Sequence, residues 1–112
     1  MEHFMQLHQG PFDAIKSGKK TIEMRLNDER RKELRVGDCI EFTNRVTLEK
    51  LEVSVENIYY FDTFEELYKY FDKISLGYKE DEIPNPKDMD IYYSKEQQEK
   101  YGVIAIKIKV VK

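Results

Sequence analysis

GKKTIEMR, from Gly18 to Arg25, is the stretch of this chain that decides its fold. Gly18 suits the left-handed backbone with which a helix stops and hands over to a strand. From Thr21 to Leu26 the residues alternate, with Ile22, Met24 and Leu26 on one face and Thr21, Glu23 and Arg25 on the other, the period-two pattern of a half-buried strand. Glu23 and Arg25 share a face and can pair or jointly hold a ligand. Lys19 and Lys20, on the preceding turn, can reach a phosphate, or serve as a base where burial lowers an ammonium pKa. The pattern fits two situations equally: a strand with ordinary outward charges, and a polar strip lining a cleft.

Upstream, His3 to Gln9 reads as a short strand, Gly10-Pro11 as a break, and Phe12 to Lys16 as a short helix closed by Ser17-Gly18. Downstream, Asn27-Asp28 can cap a charged helical turn through Leu34, Val36-Gly37-Asp38 supplies a turn, and Cys39 to Thr43 forms a strand with Asn44-Arg45 at a hairpin tip. Leu51, Val53 and Val55 alternate with polar residues in a strand that continues through Ile58 to Phe61, and so is long or bent. Thr63 to Glu66 is a capping box opening an amphipathic helix over residues 63–72. Residues 73–93, with Pro84, Pro86 and the acids Glu80 to Glu82, carry no period and read as a long loop, either a lid or a mobile segment. Ser94 with Gln97 opens a helix through Tyr101, ended by Gly102, and Val103 to Val111 is a last strand with Ile104, Ile106, Ile108 and Val110 inward. This order predicts an α+β fold, a small mixed or antiparallel sheet curled into a barrel with peripheral helices.

A length of 112 residues predicts one domain spanning 1–112. A lone cysteine and the lack of a long apolar run predict a cytoplasmic protein with no membrane association. The net charge of −3 hides an asymmetry: residues 16–35 hold eight basic and four acidic side chains, a balance of +4 that leaves −7 for the remainder. That distribution leaves one surface available to an anion. Arg30 to Arg35 themselves read as a solvated helix face. His3, His8 and Cys39 lack metal-ligand spacing, so no metal or cofactor is expected, and Cys39 reads as a small core residue. Among the tyrosines, Tyr59, Tyr60 and Tyr101 read mainly as packing residues, whereas Tyr92 and Tyr93 at the end of the irregular stretch are candidate ligand contacts.

Gly18, Lys20, Glu23 and Arg25 match the G-x-K-x-x-E-x-R signature of the ASCH (activating signal cointegrator homology) family, a branch of the PUA-like barrels. Pro11-Phe12 and Ile15-Lys16-Ser17 before it, Leu26-Asn27-Asp28 and Val36-Gly37-Asp38 after it, and Tyr101-Gly102-Val103 also resemble a small prokaryotic single-domain member. The resemblance implies a PUA-like barrel with a cleft lined by the signature residues Lys20, Glu23 and Arg25 and an RNA or nucleotide-like ligand, to which the residue reading above adds Lys19, Tyr92 and Tyr93 as contacts. It also implies an alternative, a small hydrolase acting on a modified nucleoside or on RNA, with Lys20 and Glu23 in acid/base roles. In the amidohydrolase branch a Lys-activated Thr stands where this chain has Glu23. Glu23 cannot be that nucleophile, and Thr21, two positions earlier, is the substitute hydroxyl.

Overall fold

The computed structural model describes residues 1–111. Strands β1 (Glu2–Leu7), β2 (Ile22–Leu26), β3 (Cys39–Asn44), β4 (Lys50–Phe61) and β5 (Val103–Val110) form one sheet in the order β1-β3-β4-β5-β2. The β1–β3 pair is parallel and the other three are antiparallel. The α+β fold with a mixed, curled sheet is therefore as the sequence predicts, the sheet forming a half-barrel whose edges are β1 and β2. Helices α1 (Gln9–Lys16), α2 (Phe64–Tyr70), α3 (Lys73–Leu76) and α4 (Lys95–Tyr101) surround it. No described helix is long and apolar enough to cross a membrane.

The two edges are joined through side chains. Arg25 Nη2 donates to the Gln6 carbonyl at 3.0 Å and Arg30 Nη2 to the Phe4 carbonyl at 3.0 Å. Two guanidinium groups thus occupy alternate carbonyls of β1 where a neighbouring strand would place its N–H groups.

Two apolar cores lie on opposite faces of the sheet. Met5, Leu7, Phe12, Ile15, Ile40, Phe42, Val53, Val55, Ile104 and Ile106 fill the barrel. Ile22, Met24, Leu26, Phe64, Leu67, Leu76, Met89, Val103 and Ala105 form a second core beneath the helices. β5 serves both, which is why Val103 to Ile106 are all buried. β4 reaches both by bending, with a register shift between Val55 and Asn57. The apolar face of β2 accordingly packs outward against the helices. Its polar face, registered with Ile104 and Ile106, turns toward the barrel interior.

Several local expectations are corrected. Gly10-Pro11 is not a break but lies in the first turn of α1, where an amide has no intrahelical acceptor and proline costs little. The turn before Leu34 is only a 3-10 helix, Arg31–Glu33. Residues 73–93 are not irregular throughout: Asp72 caps α3, Gly77 ends it at φ 105°, and Asn85 caps a 3-10 helix at Pro86–Ile91. Cys39 is half-buried rather than in the core, beside Glu2 and Glu52. Thr63 and Ser94 open α2 and α4, each hydroxyl accepting the amide three residues on, but the reciprocal bond of a full capping box forms only at Ser94, whose amide donates to Gln97, whereas Glu66 accepts from the Thr63 hydroxyl instead.

Candidate functional site

The geometry of the site follows from two stops in the chain. Gly18, at φ 86°, ends α1 and lets the backbone double back, so that Lys20 enters just ahead of β2. Gly77 ends α3 directly above the Lys20 stem, and a Cβ there would lie 3.0 Å from Lys20 Cδ. Lys20 runs under this turn and its ammonium donates to the Leu76 carbonyl at 2.8 Å.

Lys20 Nζ lies 3.4 Å from Glu23 Oε1, and Arg25 donates to Glu23 Oε2 from Nε at 3.1 Å and from Nη2 at 2.9 Å. The Met24 amide donates to Oε1 at 3.2 Å. All three side chains are withdrawn from solvent, Lys20 and Glu23 each to 5% exposure. Burial pulls the Lys20 ammonium below the ordinary lysine range despite the attraction of Glu23. Burial acts to raise the Glu23 carboxyl, but Arg25 and Lys20 outweigh it and hold the group ionised. The Arg25 guanidinium stays charged because Glu23, with the neighbouring Tyr93 oxygen, overcomes its own desolvation.

These residues form the floor of a cleft of about 510 Å³. Its walls are the end of β1 with His8, the hairpin residue Arg45, and the segment from Leu76 to Tyr93. Along that segment Tyr68 and Tyr78 share a hydroxyl contact of 2.9 Å, and Tyr78 donates to Asp88 at 2.6 Å, tying the wall to α2. Tyr93 is stacked on Phe64 and stands against Arg25, whereas the Tyr92 ring is half exposed and leans on His8 at 5.8 Å.

Lys20, Glu23, Arg25, Tyr92 and Tyr93 thus meet at one cleft. Lys19 and Thr21 are not among its lining residues. Thr21 instead uses its amide on Ser75 and its carbonyl on Ile108. Sequence reasoning missed Arg45, Lys87, His8, Tyr78 and Asp88 as lining residues. His8 immediately follows β1, whose end is legible, and Arg45 was visible as a hairpin tip. The other three sit in the stretch without periodicity.

A family model described as the ASCH domain matches residues 5–112. The chain belongs to the ASCH family. Among solved structures, this ASCH chain is similar to the hypothetical protein PH0355, at 30% identity and a TM-score of 0.84, covering 99% of this chain and 100% of that one. Protein PF0455 from Pyrococcus furiosus is 31% identical with a TM-score of 0.72, covering 100% and 99%. The ASCH domain from Lactobacillus crispatus shares the fold at 14% identity and a TM-score of 0.66, covering 96% of this chain and 79% of that one. No curated protein matches the chain.

Proposed function

We propose that this ASCH domain binds RNA or a nucleotide-like ligand in the cleft floored by Lys20, Glu23 and Arg25. The observation that carries the reading is the convergence of these three charges, Lys20 and Glu23 buried and Arg25 partly so, on one opening large enough for a small organic ligand. Arg45 and Lys87 add cations to the walls, and the exposed face of Tyr92 is placed to stack on a base. The remaining carboxylates of the lining, Glu82 and Asp88, limit the positive excess, which favours a short ligand segment over a long phosphate track. Isothermal titration with mononucleotides and short single-stranded and structured RNAs tests it. Binding that weakens with salt and with Arg45→Ala supports the reading, and absence of binding across the panel overturns it.

One observation favours a second reading, a hydrolase acting on a modified nucleoside. Burial lowers the cost of removing a proton from Lys20 at the cleft floor, the property an amine needs to act as a base there. Glu23 is a poor base for water, since its oxygens already receive Met24 and Arg25 and face Lys20. Acetate release from acetylated cytidine, abolished in Lys20→Gln, would support this reading, and no turnover would remove it for that substrate.

A further inference from the structure

Counting donors and acceptors at the cleft floor gives the ligand a direction. Each carboxylate oxygen has two acceptor positions. Glu23 Oε2 receives Arg25 Nε and Nη2, while Oε1 receives the Met24 amide and faces the Lys20 ammonium. The carboxylate therefore has no acceptor left for an incoming amine or imino group.

The cations are not used up. Lys20 has three N–H groups and applies one to Leu76 and one toward Glu23. Arg25 spends Nε and one Nη2 hydrogen on Glu23 and the other Nη2 hydrogen on Gln6, which leaves Nη1 without a hydrogen bond within 3.5 Å among the described residues, the Tyr93 hydroxyl being the polar neighbour that an incoming oxyanion would share the guanidinium with. Nη1 is not sealed off, because the buried polar atoms without partners among the described residues are Asn27 Oδ1 and Arg31 Nε. The three charged side chains of the floor thus have donors left and no acceptor. With both cations protonated, the formal charge of Lys20 and Arg25 against Glu23 is +1, and the other carboxylates of the cleft, Glu82 and Asp88, stand in its walls, so an anion at the floor offsets the cost of burying that charge.

We infer that the floor is an oxyanion site: Lys20 and Arg25 Nη1 take the phosphate oxygens of the ligand, which enters phosphate-first with its base outward against Tyr92 and His8. This rests on the nucleotide reading above and adds the ligand's orientation and the group that anchors it. Leu76 and Gly77 act as positioning residues, the carbonyl holding the ammonium and the missing Cβ leaving room for its stem. The phosphate can come from a free mononucleotide or from the terminus of an RNA strand, because both present the same oxygens.

Titration calorimetry of the full chain tests this with a nucleoside, its 5′- and 3′-monophosphates, inorganic phosphate, and one oligonucleotide with and without a terminal phosphate. A monophosphate should bind about tenfold or more tighter than the nucleoside, the scale of a charge-assisted hydrogen bond, and inorganic phosphate should compete. Lys20→Gln should erase that preference while Tyr92→Ala weakens nucleoside and nucleotide alike. Competition by inorganic phosphate tests the wild-type chain directly and needs no variant to fold. A preference seen only between the two oligonucleotides supports the same site and assigns the phosphate to an RNA terminus. Equal binding of nucleoside and monophosphates, with no gain from a terminal phosphate, overturns the oxyanion floor but leaves nucleotide binding standing. Absence of binding by every ligand overturns both.

Discussion

Arg25 Nη2 donates to the main-chain oxygen of Gln6 at 3.0 Å, so a side chain at the cleft floor also ties the β2 edge of the sheet to the β1 edge. Fold and site share one guanidinium. Arg25→Ala should therefore cost more stability than a surface substitution, about 3–5 kcal/mol, because it leaves the Glu23 carboxylate buried without its main partner. Urea unfolding checks this. Arg25→Lys keeps the charge but loses the side-on fork, and should fall between the two.

Gly77 should tolerate no side chain. Gly77→Ala forces a positive φ on a residue with a Cβ and sets that Cβ against Lys20 Cδ. A loss of about 1–3 kcal/mol is expected from the backbone alone. Ligand affinity should fall with it, since Lys20 must shift. Gly37→Ala, at φ 94° with nothing within 4 Å of the added carbon, is the matched control for the backbone strain without the Lys20 contact.

Tyr92→Ala separates binding from folding. The ring is half exposed and contributes little to either core. The melting temperature should hardly change, while nucleotide affinity should drop by roughly five- to a hundredfold, the range for loss of one stacking partner. A large fall in melting temperature would show that the ring is structural.

Acid stability should carry the signature of Asp38. Its carboxyl accepts from His3, the Arg35 amide and the N-terminal ammonium, and His3 foremost draws it down to about 2 from an ordinary 3.8. A folded value below the unfolded one means the stabilisation is fully present above about pH 4 and is lost as pH falls through 2. Urea midpoints measured from pH 6 down to pH 2 should fall more steeply for the wild type than for Asp38→Asn. Parallel curves would contradict the assignment.

The wall of the cleft should loosen in Tyr78→Phe. The hydroxyl links Tyr68 on α2 to Asp88 on the 3-10 helix, and losing it costs about 1 kcal/mol per hydrogen bond. Amide exchange should quicken over residues 78–91 and stay unchanged in β3 and β4. This also answers whether the segment can open as a lid.

Periodicity identified the residues sharing a face of β2, and capping chemistry located the starts of α2 and α4. What it could not indicate was which face of β2 is inside. In a sheet covered on one side only, the apolar face of a strand is the inner one, and Ile22, Met24 and Leu26 would fill the barrel. Here a second core under α2 and α3 claims them, and Glu23 is buried to the same degree as its apolar neighbours. That reversal depends on Phe64, Leu67 and Leu76, which lie far beyond β2 in the chain, and no local window contains it. The wall escaped for a related reason. Tyr78, Asp88 and Met89 are held by hydroxyl and carboxylate contacts across irregular backbone, which leave no repeat to read.

The guanidinium closure also bears on what the β1 edge can pair with. An open edge strand is a template for a second chain, and β1 carries the exposed Phe4 ring beside its outer carbonyls. Arg25 and Arg30 occupy those carbonyls, so a strand arriving at this edge finds two of its acceptors already taken. The arginines that join the two edges thus also withdraw backbone acceptors from edge-to-edge pairing.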